Sequence, residues 1–197
     1  AKTGVTKWEH RRAVRFWKDM TKQFGPGPNA TPLILGGRVL HVGIDGWMRC
    51  LDVASGSVLW DHDLPAEFGR KKREEEYGYS GSPVPYRDTA IVLIGGDKAA
   101  VVAMNPADGK VVWSSEPGGI SYAPATIFSL GGQDQYIYFE PAGVVALDPA
   151  TGRVLWRSPI EYNNGNHLTS AVKCDESNVW IGSQFATGGG RLLNVTR

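Results

Sequence analysis

Charge of one sign is missing from this sequence. Its 21 Lys and Arg stand against 20 Asp and Glu, a formal net charge of +1. No field exists to draw in a nucleic-acid backbone or an anionic membrane surface, so nucleic acid is not an expected partner. Long apolar runs are missing as well. A stretch such as TAIVLIGG at 89–96 falls far short of the roughly 20 residues that cross a bilayer as a helix, so no transmembrane segment is expected. The opening AKTGVTKWEHRR lacks the apolar stretch of a signal peptide. Cysteine is scarce: Cys50 and Cys174 stand far apart and match no C-x-x-C metal or haem spacing. Two small buried hydrophobes are the expected reading of that pair, a disulfide the alternative. His10, His41 and His167 are isolated from one another and match no ligand spacing.

Glycine and proline, by contrast, are abundant, at 25 and 12 of 197 residues, within a globular composition that is 42% hydrophobic. Such a balance suits many short strands joined by turns. The chain also restates one phrase: DVASGSVLW at 52–60, NPADGKVVW at 105–113 and DPATGRVLW at 148–156. A partial copy opens the sequence, where Thr3, Gly4 and Trp8 stand in register with Thr151, Gly152 and Trp156. Periods of about 40–50 residues mark propellers and solenoids. The longer intervals are explained by insertions, RRAVRFWKDMTKQFGPGPNA and LPAEFGRKKREEEYGY.

Each unit resolves into four apolar runs. In one they are APATIFSL, QYIYFE, GVVALD and RVLWRS; in the one before it, SPVPY, TAIVLIG, AVVAMN and KVVWSS; in the first, TPLIL, RVLHVG, MRCLDV and VLWDHD. β-Branched and aromatic residues bounded by Gly, Asp, Asn or Pro are strand signatures, and four antiparallel strands per unit make a propeller blade. The expected fold class is therefore all-β, a β-propeller of four-stranded antiparallel blades. The repeated phrase is the turn between a blade's third and fourth strands. Asp52, Asn105 and Asp148 can accept hydrogen bonds from turn amides. Gly56, Gly109 and Gly152 supply a left-handed position that other residues adopt only at a cost. Trp8, Trp60, Trp113 and Trp156, each able to bury roughly 150–250 Å², are expected to lock neighbouring blades. One segment dissents: Ala13, Phe16, Trp17, Met20 and Phe24 recur at helical spacing, which fits a short helix or an irregular packed connection.

The pattern A-x-D-x-x-T-G-x-x-x-W, read here as Ala146, Asp148, Thr151, Gly152 and Trp156 and as Ala103, Asn105, Gly109 and Trp113, resembles the tryptophan-docking repeat of the PQQ-like propellers. That family includes quinoprotein alcohol dehydrogenases and BamB-like scaffold lipoproteins. The first copy departs from it with Cys50 for the alanine and Ser55 for the threonine, the second with Asp108. The resemblance implies about four blades of a 7- or 8-bladed ring and a periplasmic or secreted location. On this reading residues 1–10 are the fourth strand of a preceding blade; 29–63, 80–116 and 121–159 are blades; and 166–197 is a blade lacking its outer strand. Either the remaining half of the propeller completes the ring, or four blades close on themselves when the N-terminal strand pairs with the last three. An open half would leave strand edges exposed.

Candidate chemistry is sparse. GYSGS at 78–82 fails the nucleophile-elbow pattern at Ser82. WDHD at 60–63 sets His62 between two carboxylates, but alternate side chains of a strand face opposite ways. A metal site there competes with a plain exposed edge strand, and no metal is assigned. Within the resembled family, dehydrogenases bind PQQ with calcium, use an aspartate base and place an adjacent cysteine pair beneath the cofactor. No such pair occurs here, so no cofactor is expected, PQQ with calcium belonging only to the dehydrogenase alternative. The expected binding face carries the inner-strand starts, bringing Asn29, Thr31, Tyr79, Ser80, Ser82, Tyr122, His167 and Thr169 together near the propeller axis. These side chains either line a ligand site or hydrogen-bond blade ends and water. The RKKREEE block at 70–76 is a solvated stretch or a handle for a protein partner. The expected function is a non-catalytic scaffold or binding module; the alternative is a fragment of a quinoprotein dehydrogenase.

Overall fold

The computed structural model describes residues 3–14, 29–70, 78–160, 169–183 and 189–196. The structure is all-β, as expected. Sheet I consists of β1 (Leu33–Leu35), β2 (Arg38–Val42), β3 (Trp47–Asp52) and β4 (Val58–Asp63). Sheet II consists of β5 (Val84–Tyr86), β6 (Thr89–Leu93), β7 (Val101–Met104) and β8 (Val111–Ser114). β9 (Thr126–Leu130), β10 (Gln133–Glu140), β11 (Gly143–Leu147) and β12 (Val154–Pro159) form sheet III. Sheet IV has three strands, β13 (Val172–Lys173), β14 (Asn178–Ser183) and β15 (Gly189–Asn194). Within every sheet the order follows the sequence and all pairings are antiparallel.

The middle strands are buried on both faces, which is why they read as unbroken apolar runs rather than alternating ones. Along β6, Ala90 and Val92 pack with Leu40, Met48 and Cys50 of sheet I, while Ile91 and Leu93 turn to Tyr136 and Tyr138 of sheet III. The other face of sheet III carries Ile137, Phe139, Val144 and Ala146 against Val179 and Ile181 of sheet IV. Strand alternation thus builds three apolar layers between four stacked sheets.

In each four-stranded sheet the register slips once, at the same place. Cys50 pairs with Trp60 and Leu51 with Val58; Ala103 with Trp113 and Met104 with Val111; Ala146 with Trp156 and Leu147 with Val154. The residues passed over, Leu59, Val112 and Leu155, are bulge positions. The bulge rotates the strand so that the tryptophan faces the following sheet, and it leaves Leu59 and Val112 exposed.

The described residues 3–14 pair with no strand of this chain; they lie beside the free face of sheet I, held there by side chains, Trp8 on the Val53 carbonyl and Arg12 on Asp45. The insertion after Trp60 begins with a helical turn, α1 (Leu64–Phe68), that composition alone did not flag. Asp63 caps it by accepting from the Ala66 amide (3.1 Å), Pro65 sits in its first turn, and Gly69 ends it in the left-handed conformation. The helical spacing from Phe16 to Phe24 lies outside the described residues, as does most of the RKKREEE block.

Candidate functional site

The repeated turn builds the joints between sheets. Asp52 Oδ1 accepts from the amides of Ala54 and Ser55 (3.1 and 2.7 Å) and from Ser55 Oγ (2.8 Å). Those bonds, Ser55's first, hold the Asp52 carboxyl below the usual carboxylate range. Asn105 Oδ1 and Asp148 Oδ1 accept from Ala107 and Ala150 in the same way, at 2.9 and 2.8 Å. The turn closes on glycine: the amides of Gly56, Gly109 and Gly152 donate to the carbonyls of Asp52, Asn105 and Asp148 at 2.8–2.9 Å. All three glycines have φ between +73° and +75°.

Each turn receives the tryptophan of the preceding copy. Trp8 Nε1 donates to the Val53 carbonyl (3.1 Å), Trp60 Nε1 to Pro106 (2.9 Å) and Trp113 Nε1 to Pro149 (3.1 Å). The rings lie flat on the glycines, so an added Cβ at Gly56, Gly109 or Gly152 would sit under 3.0 Å from Trp8, Trp60 or Trp113 respectively. Glycine is therefore required twice over, by conformation and by contact. Trp156 differs: its Nε1 donates to Gln135 Oε1 of its own sheet (2.7 Å).

The inner-strand starts converge only in part. The Thr31 amide donates to Ser82 Oγ (2.8 Å), and Ser80 Oγ donates to the Tyr122 carbonyl (3.3 Å), linking sheet I to II and II to III. Tyr79 is not at the axis surface. It is buried in the layer between sheets I and II, its hydroxyl donates to the Ile94 carbonyl (2.7 Å), and the Arg70 guanidinium stacks 4.2 Å from its ring. Thr169 donates to Gly182 within sheet IV (2.7 Å), Asn29 is exposed, and His167 lies outside the described residues. Of the expected set, then, Thr31, Ser82, Ser80 and Tyr122 are joined pairwise, through blade-to-blade hydrogen bonds.

The WDHD carboxylates disperse. Asp61 pairs with Arg49 (3.3 Å), Asp63 caps α1, and His62 Nδ1 meets Glu67 of α1 (2.9 Å). Among the described residues no group of three His, Cys, Asp or Glu is arranged to hold a metal ion. Cys50 is buried with its Sγ toward the Pro106 carbonyl, whereas Cys174, expected to be buried, is exposed. The two cysteines stand apart, and the Ser82 and Ser80 hydroxyls bond to the Thr31 amide and the Tyr122 carbonyl of neighbouring blades.

A groove of about 880 Å³ on the free face of sheet I was not legible beforehand. Residues 8–14 run along one side, and Val39, His41 and Leu51 form its floor. Arg12 forms an ion pair with Asp45 and lies 5.5 Å from the Trp47 ring; Arg49 Nη1 donates to His10 Nε2 (2.9 Å). His10 and His41, isolated in sequence, come within 6.4 Å, ring to ring. Burial lowers the His41 pKa, and His10, Arg49 and Arg12 lower it further by crowding positive charge around the imidazole. The adjacent arginines at 11 and 12 were the one available hint, and nothing in their spacing pointed to His41.

Residues 1–191 match the family described as outer membrane protein assembly factor BamB. No curated protein matches the sequence. Among solved structures, BamB from Moraxella catarrhalis is similar at 19% identity and a TM-score of 0.58, over 83% of this chain and 44% of that one. The computationally designed Ika4 protein gives 16% and 0.54, over 86% and 94%. Quinohemoprotein alcohol dehydrogenase ADHIIG from Pseudomonas putida HK5 gives 16% and 0.52, over 78% and 28%. The chain thus spans less than half the length of that BamB and of that dehydrogenase. At these identities the likeness is one of fold, the β-propeller.

Proposed function

The chain belongs to the outer membrane protein assembly factor BamB family, and from that membership we propose that it works as a non-catalytic propeller scaffold that binds a protein partner. One observation carries this reading: the two serine hydroxyls where the blades meet are engaged in blade-to-blade bonds, Ser82 Oγ accepting from the Thr31 amide and Ser80 Oγ donating to the Tyr122 carbonyl. They hold sheets together, and among the described residues no group of three His, Cys, Asp or Glu is arranged to hold a metal ion. The rim supports the same reading. Val58 and Leu59 on β4, and Val111 and Val112 on β8, are exposed on strands with an open edge. Such an edge can take an added strand whose side chains meet the apolar pairs. The location that suits this role is periplasmic or secreted, with the partner among proteins of outer-membrane assembly. No helix of the described residues is long and apolar enough to cross a membrane.

The test pairs two measurements. A photo-reactive residue at Leu59 or Val112, introduced in cells, should cross-link to a component of outer-membrane assembly, whereas one at exposed Asp134 should not. Titration of the purified chain with PQQ and calcium should give no stoichiometric binding and no dye reduction in the presence of an alcohol. Tight stoichiometric binding with dye reduction would replace the scaffold reading with the dehydrogenase one.

A further inference from the structure

The outer strands of sheets I, II and III each have one side unpaired, yet they are not equally open. An exposed edge invites an added strand unless proline, charge or a covering element blunts it. β12 is blunted twice. Pro159, its last residue, brings no amide to a pairing, and Arg157 is held by ion pairs to Glu140 (2.8 Å) and to Glu116 (3.2 Å). Its apolar residues are turned inward as well, Val154 to the layer between sheets II and III and Leu155 to the layer between III and IV. β4 is open at Val58 and Leu59 but blunted beyond them by charge and by cover. Asp61 pairs with Arg49 (3.3 Å), and Asp63, the last residue, caps α1, which is tied back to the strand through Glu67 and His62 (2.9 Å).

β8 carries none of these guards. Val111, Val112, Trp113 and Ser114 include no proline and no charge, and the element that follows is a strand, not a helix. Trp113 points into the joint with sheet III, where its Nε1 bonds to Pro149 (3.1 Å), while Val111 and Val112 are 44% and 55% exposed. Pairing on the inner side runs past the strand at both ends. The Lys110 carbonyl accepts from the Asn105 amide (2.8 Å), and the Ser115 amide donates to the Val101 carbonyl (2.9 Å). The segment is thus held extended from residue 110 to residue 115. Alternation then turns the backbone groups of Val112 and Ser114 away from β7, toward the rim. All three outer strands share the bulge, so it does not distinguish them.

We propose, on the basis of the scaffold reading, that the partner's contact is an extended segment that adds antiparallel to β8, with alternate aliphatic side chains, a basic residue at its amino-terminal end and an acidic one at its carboxy-terminal end. The backbone groups of Val112 and Ser114 supply the hydrogen bonds, and Val111 and Val112 the apolar contact. Charge sets the direction. Lys110, at the start of the edge, is 83% exposed, and Glu116, just past its end, is 71% exposed. Both have partners already, Asp108 (3.0 Å) and Arg157 (3.2 Å), but exposed pairs of this kind contribute little and leave room for another ion. An antiparallel segment brings its acidic end to Lys110 and its basic end to Glu116. A parallel one with the same charges would set like charges together at both ends. Sheet II is packed on both faces, against sheet I and against sheet III, so β8 is reached from the rim.

A labelled, end-capped peptide, Lys-Thr-Val-Thr-Val-Thr-Glu, titrated against the purified chain and followed by fluorescence anisotropy, tests the proposal. Saturable binding is expected. Val112→Lys, at an exposed position, should weaken it about tenfold by giving β8 the charge it lacks. Leu59→Lys on β4 should leave it unchanged, and both variants should keep the parent's far-ultraviolet circular dichroism. Lys110→Glu should weaken binding about fivefold, and a second peptide ending in Lys instead of Glu should restore it. Four outcomes overturn the proposal: no binding of the peptide, an equal loss with Leu59→Lys, tighter binding by Lys110→Glu, as a parallel segment would give, or self-association of the chain that Val112→Lys abolishes, which makes a second copy the occupant. The scaffold reading fails separately, on PQQ binding with dye reduction. Cross-linking in cells at Leu59 with none at Val112 would keep that reading and overturn this one.

Discussion

Replacing Gly152 by alanine isolates the contribution of the docking joint. Gly152 has φ +75° and Gly132, in the same sheet, has φ +76°. An added Cβ at Gly132 meets nothing within 4 Å, whereas at Gly152 it would sit under 3.0 Å from the Trp113 ring. Gly132→Ala therefore costs only the left-handed backbone penalty, about 1–2 kcal/mol. Gly152→Ala carries that same penalty and forces the indole off the turn. Overpacking of this kind costs about 1–3 kcal/mol, and breaking the Trp113 Nε1 bond to Pro149 costs about 1 kcal/mol more. The expected losses are thus about 1–2 kcal/mol at Gly132 and about 3–6 kcal/mol at Gly152. Urea unfolding followed by tryptophan fluorescence and by circular dichroism reads both. Sheets that touch only their neighbours can unfold in stages, so the two probes must coincide before a single free energy is taken. Equal losses at the two glycines would refute the claim that contact with the tryptophan, rather than conformation alone, makes glycine necessary in the repeated turn.

Trp60→Phe keeps an aromatic ring in the joint but removes the Nε1 donor to the Pro106 carbonyl, and should cost about 1–3 kcal/mol in the same unfolding experiment; no loss would show that ring area alone matters. The His41 pKa lies below the ordinary imidazole value of 6.5 because the side chain is buried among His10, Arg49 and Arg12. The unfolded chain therefore takes up that proton more readily, so the stability is fully present above about pH 6.5 and lost as pH falls toward the folded value. His41→Gln should flatten the decline of stability between pH 7 and 5; an unchanged slope counts against the burial argument. Exposed Cys174 should react with a thiol reagent at once, and buried Cys50, its thiol pushed up by desolvation, only as the protein unfolds; immediate labelling of both would contradict the packing of sheet I against sheet II.

Much of the architecture could be read from the repeated phrase. Asp52, Gly56 and Trp60 stand at spacings that local turn chemistry dictates, so the turn, the strands on either side of it and the period of the blades followed from residues close in sequence. The axial residues were less legible. Tyr79 was expected beside Ser80 at the binding face, yet its ring is buried and only the serine reaches a neighbouring blade. The reason is alternation along an extended segment, compounded by Arg70, whose guanidinium stacks on the Tyr79 ring from a residue nine positions earlier. Cys174 was misread for a similar reason: residue type favours burial, but the residue follows the two-residue strand β13 and is exposed.

The sequence alone determined the periodic parts, meaning which runs become strands, which turns need glycine and which ring closes each unit, because those features rest on backbone conformation and on contacts that recur at fixed spacing. Only the tertiary structure decided which copy each tryptophan docks on. It alone brought His10, His41, Arg12 and Arg49 into one groove. Those outcomes depend on stacking one sheet upon the next, and residues of different copies meet through that stacking without any pattern along the chain to announce it.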